Sequence, residues 1–372
     1  MSGRVLFLGE YGWRNGGENS FLTIAPSLIE QGYKFVAAVP GNTEFSKALA
    51  GIGCDLVDLQ LFQGDQRKSQ AQIRNDLKQL IEQVQPDLVH CNSLSTSRLA
   101  GPVTRAGKIP SIGYLRDILR LSAKAIQDIS EINQLVAVSR ATCDYHVVAG
   151  IPAEQVEIIH NGVDLQQFAP RSSSGCLHDQ LKIPPTGRMI ICVGQIGLRK
   201  GVDIVLDSFF KLAELDPSLH LVLAGDRHSQ KQEALEYEKE LKNTAAKSSC
   251  SSRIHWLGRM DEIPLLMNEA VLLMHAAHQE PLGRVLLEAA ASGLPFVATD
   301  VGGTPEIVEG TEIELVPAGN SAEMCRTARQ ILNRPDQAAR TGRALRKRAE
   351  RRFSLQQCAE KIEDLYRRQL SI

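Results

Sequence analysis

Two glutamates in residues 276–306 have the residue type and spacing of a ligand-binding pair. Glu280 precedes a Pro-Leu-Gly turn, and Glu288 follows eight positions later within an alanine-rich helical stretch. An ionised carboxylate only accepts hydrogen bonds, so Glu280 could bind the hydroxyls of a sugar and Glu288 those of a ribose. Taken alone, the pair is better explained as a loop carboxylate and a solvent-facing helix carboxylate. The neighbouring residues favour the functional interpretation.

The residues around this pair predict an anion site. Pro281 suits the first turn of a helix and Gly293 suits its end, so we expect a helix from Pro281 onward. The N-terminus of a helix presents unpaired backbone N–H groups that bind anions, and a cationic side chain there adds attraction. The sequence therefore predicts that a diphosphate binds near Leu282, Gly283 and Arg284.

A second candidate site lies in residues 193–209, VGQIGLRKGVDIVLDSF, where an expected strand enters a glycine-rich loop and then a helix. Arg199 and Lys200 occupy that loop, at the carboxyl end of a strand, where open α/β sheets bind ligands. The arginine could clamp phosphate oxygens as a fork, and the lysine could act as a point charge. For this segment alone, a solvated basic turn is an equal alternative.

A third segment, NGGEN at residues 15–19, follows the first expected strand and opens the first expected helix. Because glycine lacks a side chain, Gly16 and Gly17 let a backbone come close to a ligand. The spacing differs from G-x-G-x-x-G, so the segment does not predict a dinucleotide site. A tight strand-to-helix turn is the plainer alternative.

Short apolar runs, separated by amphipathic stretches, must position these three segments. Nearly all of the runs are apolar on both faces, as strands are when helices cover both sides of a parallel sheet. Residues 19–31 and 73–84 have helical spacing of apolar side chains. The alternation predicts a doubly wound α/β architecture. The expected strands begin near Val5, Phe35, Asp87, Leu135, Met189, Leu221, Val271 and Phe296.

The length of 372 residues predicts two domains, because single cores rarely grow beyond roughly 250–300 residues. The alternation of strands and helices breaks at residues 169–187, which are rich in Ser, Pro and Gly, and we expect the domain boundary there. The expected division is an N-terminal domain at 1–170, a C-terminal domain at 171–353 and a closing helix at 354–372.

The composition narrows the possible function classes. A formal net charge of −1 provides no positive field to collect nucleic acid, so we expect no nucleic-acid partner. The eight cysteines lack the close spacing of a zinc or redox site and fit a reducing compartment. No apolar run approaches the ~18 residues of a spanning helix. These features predict a cytoplasmic protein. His275 and His278, without further ligands, do not predict a metal site.

The three segments, with residues 136–168 (VAVSRATCDYHVVAGIPAEQVEIIHNGVDLQQF), resemble glycosyltransferase family 4, whose members are retaining enzymes with the GT-B fold. The similarity covers essentially the whole chain in the expected order, and the final RRFSLQQCAEKIEDLY is similar to the closing helix of that family. The resemblance implies an α/β GT-B fold. Such a fold has two facing Rossmann-like domains with parallel sheets and a C-terminal helix that returns to the N-terminal domain.

The resemblance also implies roles for individual residues. In this family the second domain holds a nucleotide sugar and the first holds the acceptor. Carried over by position, Glu280 would bind the hydroxyls of the donor sugar and Glu288 its ribose, while Arg199 and Lys200 would bind its diphosphate. Glu280, Lys200 and Arg199 are the expected catalytic residues. The loop around Arg259 would flank the nucleobase. The further residues expected to bind the donor are Gly16, Gly17, Arg116, Gln195, Arg259, Met260, Pro281, Leu282, Gly283 and Arg284.

Two positions depart from the family pattern. Gln195 stands where many relatives have arginine, so more of the charge that faces the phosphates must come from Arg199. Arg116 stands before Asp117 where relatives often carry a histidine that approaches the donor sugar. An acidic donor sugar would explain Arg116, and so would an arginine that folds back onto Asp117.

The resemblance implies metal-independent transfer without a cofactor, in which the acceptor attacks the front face of the sugar and the leaving diphosphate helps to take the proton. Two alternatives stay open from the sequence. A sugar-nucleotide epimerase of similar fold would keep the nucleotide site and need acid-base residues. A non-catalytic protein could bind a sugar nucleotide without transferring it.

The acceptor is not specified beyond a sugar, a glycan or a lipid-linked glycan. We expect its contacts from polar loops of the first domain at residues 61–72 and 118–129. The second loop could touch a bilayer, although a plain amphipathic surface helix is favoured. The basic residues from Arg340 to Arg352 are likewise favoured as a solvated helix face over a membrane-binding surface. Peripheral contact with the inner membrane face and the oligomeric state stay open.

Overall fold

The structure of the protein, a computed structural model, describes residues 3–63 and 66–371. Two residues of the expected acceptor loop at 61–72, Gly64 and Asp65, therefore lie outside the described residues. The fold consists of two compact units, each with its own parallel sheet.

The first unit comprises the chain up to Gly162 together with the residues from Leu355 onward. The second unit runs from Val163 to Ser354. Residues 163–170, which the sequence assigned to the N-terminal domain, thus lie in the second unit. The closing helix lies in the first unit.

The described chain contains fourteen strands, which form two parallel sheets and one antiparallel hairpin. The strands of the first unit are β1 (Arg4–Leu8), β2 (Lys34–Val39), β3 (Asp55–Asp58), β4 (Phe62–Gln63), β5 (Gln66–Arg67), β6 (Leu88–Cys91), β7 (Ser111–Leu115), β8 (Gln134–Ala137) and β9 (Val156–Ile158). The strands of the second unit are β10 (Arg188–Val193), β11 (Leu219–Ala224), β12 (Ile254–Gly258), β13 (Leu272–His275) and β14 (Phe296–Ala298). The first sheet has the order β3-β2-β1-β6-β7-β8-β9 and the second has the order β12-β11-β10-β13-β14, while β4 pairs with β5.

Helices connect these strands. The first unit contains α1 (Gly16–Glu30), α2 (Glu44–Gly51), α3 (Gln70–Val84), α4 (Leu94–Gly107), α5 (Ala123–Ile129) and α6 (Arg140–Val148). The second contains α7 (Cys176–Gln180), α8 (Val202–Leu215), α9 (Gln232–Lys247), α10 (Ile263–Glu269), α11 (Arg284–Ala291), α12 (Thr304–Val308), α13 (Ser321–Leu332) and α14 (Pro335–Arg352). The last helix, α15 (Leu355–Leu370), belongs to the first unit, and short 3-10 turns occur at Ala153–Gln155, Leu198–Lys200 and Ser251–Arg253.

Two interior strands of each sheet are buried on both faces. β6 and β7 are buried along their whole length in the first unit, and β11 and β13 are buried in the same way in the second. Burial of this kind follows from helices that pack on both sides of a parallel sheet. All eight apolar runs picked out in the sequence are strands, and the doubly wound α/β prediction is confirmed for both units.

Helix α3 shows how the sequence forms the helices that cover the sheets. The hydroxyl of Ser69 accepts a hydrogen bond from the backbone N–H of Gln72, which caps the first turn of the helix. The apolar side chains recur at intervals of three and four residues and are all buried. These side chains are Ile73, Leu77, Leu80, Ile81 and Val84.

Helix α15 is an integral part of the first unit. It packs against α1, and the ring of Tyr366 is fully buried beneath it. The hydroxyl of Tyr366 lies 2.5 Å from Nδ1 of His90 on β6. The burial and this hydrogen bond explain why the chain returns to the first unit after leaving the second.

Candidate functional site

The second sheet brings several of the sequence-predicted residues together at one point. Strand β10 lies between β11 and β13, so the connections that follow β10 and β13 leave the sheet on opposite sides. Open α/β sheets bind their ligands in the crevice that such a change of direction creates. The loop after β10 carries Arg199 and Lys200, and the loop after β13 carries Glu280.

Lys200 and Glu280 form a buried ion pair across this crevice. The Nζ atom of Lys200 lies 2.5 Å from Oε2 of Glu280, and the two side chains are only 19% and 8% exposed. The same carboxylate oxygen lies 3.0 Å from Nε2 of His275, the last residue of β13. Glu280 is thus bonded to residues of two neighbouring strand ends, and it is not an isolated loop carboxylate.

The protonation states at this cluster follow from its surroundings. Burial would raise the pKa of Glu280, but the charge of Lys200, the contact with His275 and the charge of Arg199 hold that pKa well below its usual range. Burial lowers the pKa of His275. Because an ionised carboxylate only accepts hydrogen bonds, neutral His275 must carry its proton on Nε2 and donate it to Glu280. The crevice therefore holds a fixed carboxylate beside a fixed ammonium group.

Arg199 ties the two loops together at their rim. Its Nη1 atom donates to the backbone oxygen of Gln279 at 2.8 Å, and its own backbone oxygen accepts from the N–H of His278 at 2.8 Å. The side chain of His278 is exposed, whereas that of His275 is 3% exposed, so the two histidines do not share a site.

The helix after β13 begins three residues later than the sequence predicts. Helix α11 starts at Arg284 and not at Pro281, because Gly283 takes a left-handed conformation (φ +97°) as its N-cap. Across residues 3–63 and 66–371, no protein acceptor pairs with the backbone N–H groups of Leu282, Gly283 and Val285. Within the described chain, two of the three expected positions, Leu282 and Gly283, thus carry unpaired N–H groups, and the third such group belongs to Val285 and not to Arg284.

Glu288 lies one turn into α11, and its side chain is 14% exposed. The Nη2 atom of Arg284 lies 3.4 Å from Oε1 of Glu288, as residues four apart on a helix allow. The description of Glu288 as a solvent-facing helix carboxylate, which the sequence left open, does not fit this burial. Both residues lie in the helix that follows Glu280.

The loop after β10 also lines a cavity of about 250 Å³, together with Ser229, Lys231, Glu233 and Ala234 beyond β11. Gln195, Arg199 and Lys200 all contribute to its wall. The cavity adjoins the ion pair through Lys200, which both features share.

Arg259 and Met260 follow β12, two strands away from β10 in the sheet. The backbone N–H of Arg259 donates to Oδ2 of Asp226 at 3.1 Å, which ties this loop to the loop after β11. The structure therefore places these two residues at the same edge of the sheet as the crevice, further along it.

Gly201 permits the close approach of the two loops. It has φ +60°, and a Cβ atom added there would lie 2.1 Å from the backbone oxygen of Ala276. We expect Gly201→Ala to lower the free energy of unfolding by about 3 kcal/mol, from the left-handed backbone and the overlap together. Gly197→Ala in the same loop is the matched control, because a Cβ there meets nothing within 4 Å.

Denaturant titration of the two glycine variants measures the effect. The control variant should stay within about 0.5 kcal/mol of the parent protein. Equal stability of the two variants would show that the contact between Gly201 and Ala276 does not constrain the loop.

In the first unit, Gly16 and Gly17 form the first turn of α1. A Cβ at Gly17 would lie 3.1 Å from Cδ of Arg116, so this glycine leaves room for the arginine. The guanidinium of Arg116 donates to the backbone and side-chain oxygens of Asn92, at 2.9 and 3.0 Å, and to Oδ1 of Asn161 at 3.1 Å. Arg116 is thus held in place by amide oxygens on two other loops.

Three residues that contact the side chains of Glu280 and Arg116 were not predicted from the sequence. His275 lies only five positions before Glu280, and that short spacing was a usable signal for its contact with the carboxylate. Asn92 directly follows buried strand β6, and polar residues at the carboxyl ends of strands are candidates for a site. Asn161 follows β9 less closely, and the sequence carries no comparable signal for it.

Among the described residues, no group of three or more His, Cys, Asp or Glu side chains is arranged to hold a metal ion. No helix in the described part of the chain has the length and the apolar character needed to cross a membrane.

Known proteins resemble this chain in sequence and in structure. Residues 14–167 match the model for Glycosyltransferase Family 4, and residues 176–348 match the model for Glycosyl transferases group 1. Lipopolysaccharide core biosynthesis mannosyltransferase LpsB of Rhizobium meliloti (strain 1021) is 28% identical over 276 residues, which cover 69% of this chain and 76% of that protein. D-inositol 3-phosphate glycosyltransferase of Streptomyces bingchenggensis (strain BCW-1) is 29% identical over 225 residues, covering 58% of this chain and 48% of that one.

The crystal structure of HepE from Anabaena in complex with UDP-glucose is similar to this structure, with a TM-score of 0.86. The two chains are 23% identical, and the match covers 98% of this chain and 99% of that chain. This likeness confirms the expected GT-B fold.

Proposed function

The chain belongs to glycosyltransferase family 4, and from this membership we propose that it transfers a hexose from a nucleoside diphosphate sugar to a hydroxyl acceptor with retention of the anomeric configuration. The buried ion pair of Lys200 and Glu280 carries the proposal. It fixes a cation and a carboxylate at the crevice where open α/β sheets bind their ligands. A buried charge interacts with a charged ligand more strongly than the same charge does in water.

Glu280 is proposed to hold the donor sugar. Its Oε2 atom is engaged by Lys200 and His275, and across the described chain no protein group pairs with its Oε1 atom. That oxygen is free to accept hydrogen bonds from the sugar hydroxyls. Glu288, with its low exposure, is proposed to accept in the same way from the ribose.

The diphosphate is proposed to bind between the cationic loop and the start of α11. Arg199 and Lys200 supply positive charge, and the N–H groups of Leu282, Gly283 and Val285 supply hydrogen-bond donors. This arrangement combines a helix N-terminus with fixed cations, both of which favour an anion. Gln195, at the same cavity, is proposed to contact the phosphates as a neutral group.

The proposed reaction exchanges two bonds on one face of the sugar. The bond from the anomeric carbon to the β-phosphate oxygen breaks, and the bond from the acceptor oxygen to the same carbon forms. The departing phosphate oxygen takes the proton of the acceptor hydroxyl. Because negative charge grows on the diphosphate as the first bond breaks, the cations and N–H groups stabilise the transition state more than the bound donor. We therefore propose that transfer needs neither a metal ion nor a cofactor.

The relatives guide the choice of donors to test. LpsB is described as a mannosyltransferase, and the Anabaena protein is described in complex with UDP-glucose. UDP-glucose and GDP-mannose are therefore the first donors, with ADP-glucose and UDP-galactose beside them. The acceptor is proposed to be a sugar, a glycan or a lipid-linked glycan.

Calorimetric titration of these four donors, followed by NMR of the transfer product, tests the proposal. We expect one donor to bind in preference, binding and transfer to persist in excess EDTA, and the new linkage to keep the donor's anomeric configuration. An inverted linkage or loss of transfer in EDTA would contradict the proposed mechanism. Conversion of the donor sugar without an acceptor would identify an epimerase, and binding without hydrolysis or transfer would identify a non-catalytic protein.

A further inference from the structure

The loop after β1 exposes two aromatic rings that no part of the proposed donor site uses. Tyr11 and Trp13 stack with ring centroids 5.2 Å apart and an angle of 28° between the ring planes. They remain 38% and 48% exposed, among the largest exposed apolar side chains of the described chain. A stacked, exposed pair presents a broad apolar surface to solvent.

This loop is held firmly by its neighbours. The backbone oxygen of Gly12, between the two aromatic residues, accepts a hydrogen bond from the N–H of Phe45 at 2.9 Å. A Cβ atom at Gly12 would lie 2.5 Å from Cγ2 of Thr43, and Thr43 is itself fixed as the N-cap of α2. The rings are therefore carried on a well-positioned segment, as a preformed binding surface requires.

Hydrogen-bonding groups lie beside the rings. The side chain of Glu10 is 8% exposed, and its Oε1 atom lies 3.0 Å from Nη2 of Arg67 on β5. The same Nη2 atom donates to Oγ of Ser95 at 3.0 Å. Carboxylate, guanidinium and hydroxyl groups thus form one hydrogen-bonded cluster that starts at Glu10, the residue before Tyr11.

Among the charges that act on the Tyr11 hydroxyl, carboxylates outnumber cations. Burial, together with the charges of Glu10, Asp117 and Glu18, raises the pKa of Tyr11 to about 12, against the opposing charge of Arg67. The Tyr11 hydroxyl is therefore a neutral hydrogen-bond donor at physiological pH. Carboxylates in this number oppose an anionic ligand and favour one rich in hydroxyl donors.

The topology of the first sheet places these groups where a ligand is expected. Strand β1 lies between β2 and β6, so the connections after β1 and β6 leave on opposite sides of the sheet. Tyr11 and Trp13 follow β1, Ser95 follows β6 and Asp117 follows β7. The groups thus follow the carboxyl ends of the strands on either side of this change of direction, where open α/β sheets bind their ligands.

We propose that Tyr11 and Trp13 form a stacking platform for an uncharged pyranose ring of the acceptor, with Glu10 and Arg67 binding its hydroxyls. A pyranose has an apolar C–H face and a rim of hydroxyls, which match an aromatic surface bordered by polar groups. A nucleotide would also stack on the rings, but its phosphates would face the carboxylates. The identification of the ring as the acceptor rests on the proposed function.

Tryptophan fluorescence tests the platform directly. The chain has two tryptophans, so Trp256→Phe leaves Trp13 as the single reporter. The probes are the methyl α-pyranosides of glucose, mannose and galactose, with the open-chain polyol sorbitol as the control ligand. We expect at least one pyranoside to give a saturable change in emission that sorbitol does not give.

Variants in the same background assign the response to the stacked pair. Tyr11→Ala should weaken pyranoside binding about tenfold. Leu56→Ala, an exposed apolar change on edge strand β3, should leave it unchanged. Absence of any saturable response, an equal response to sorbitol, or equal affinity of the Tyr11→Ala variant would overturn the proposal. Circular dichroism confirms that each variant is folded.

Donor calorimetry separates the failure of this inference from failure of the proposed function. If a nucleotide sugar binds but no pyranoside changes the emission of Trp13, the proposed platform is wrong and the proposed donor site is supported. If a pyranoside changes the emission of Trp13 but no donor binds, the transferase proposal is wrong and the proposed platform is supported. Once a transferable pair is known, Trp13→Ala should raise the KM for the acceptor about tenfold, Trp13→Phe should restore it, and donor affinity should not change.

Discussion

Replacing Lys200 by methionine should reduce the rate of transfer by about 100-fold or more. Methionine preserves much of the length of the side chain but removes the ammonium group that contacts Oε2 of Glu280 at 2.5 Å. The variant loses a cation at the proposed diphosphate site and leaves a buried carboxylate without its closest counter-charge. We therefore expect kcat to fall, and not only the affinity for the donor.

The pH dependence of this variant gives an independent test. In the parent protein Lys200 holds the pKa of Glu280 well below its usual range, so Glu280 stays ionised and its stabilising contribution is lost only in strong acid. Without Lys200, burial acts with less opposition and the pKa rises. The variant should then be most destabilised relative to the parent at high pH, and the difference should shrink as the pH falls and Glu280 becomes protonated.

Lys211→Met is the matched control for Lys200→Met. Lys211 lies in the same unit and also forms an ion pair, with Asp207 at 2.8 Å, but both partners are exposed. Exposed pairs contribute little to stability, so we expect Lys211→Met to keep the transfer rate of the parent and its dependence of stability on pH. A parent-like transfer rate in Lys200→Met would contradict the assigned role of the buried pair.

Much of this fold could be predicted because a strand that is buried on both faces is a continuous run of apolar residues. Such a run is visible in the local sequence. β1, β2, β10 and β11 are nearly continuous in apolar residues, and each was located from the sequence. The strands that were missed carry polar residues or glycine. β3 (DLVD) lies at the edge of its sheet and is largely exposed. Its pattern does not distinguish a strand from a loop.

The boundary between the domains could not be predicted from composition. Residues 169–187 resemble a linker, but the buried carboxylate of Glu269 holds them within the second unit. It accepts hydrogen bonds from the hydroxyl of Ser174 at 2.6 Å and from the N–H of Leu177 at 3.1 Å. Such long-range bonds leave no trace in local sequence.

The candidate site was predictable as a set of residue types and not as a set of contacts. The glycine loops and strand ends indicated Lys200 and Glu280 separately. Their contact depends on the order of strands in the sheet, which a single sequence does not reveal. The helix start at Pro281 was wrong because Gly283 takes a left-handed conformation that ends the turn first. The amide contacts of Arg116 likewise depend on loops distant in sequence.

A second large effect is expected from Glu280→Gln, which should lower the transfer rate by about 100-fold or more. The amide keeps the size of the side chain but removes the negative charge that Lys200 requires. The amide keeps only one acceptor oxygen, so either Lys200 and His275 or the sugar hydroxyls then face an N–H donor. The sugar hydroxyls then lose a charged acceptor, so donor affinity should fall as well.

The double variant Lys200→Met/Glu280→Gln distinguishes a coupled pair from two independent residues. Removing one partner leaves a buried charge, whereas removing both leaves none. We therefore expect the double variant to be destabilised by less than the sum of the single variants, with a coupling of about 1–3 kcal/mol. Denaturant titration measures it, and Glu323→Gln, at an exposed pair with Arg326, serves as the charge-neutralising control. Strict additivity would exclude the coupling.

The path of the chain between the two units has a consequence for how they can be separated. The N–H of Val163 donates to the backbone oxygen of Phe353 at 2.8 Å, so the second unit begins and ends at adjacent points. In the first unit, a Cβ built on Gly162 would lie 2.6 Å from Cα of Leu355. The second unit is therefore an insertion in the first, and a linker of very few residues could join Gly162 to Leu355 after its excision. The second unit, proposed above to bind the donor, can thus be removed or replaced as one continuous segment, with the sheet and closing helix of the first unit kept on a single chain.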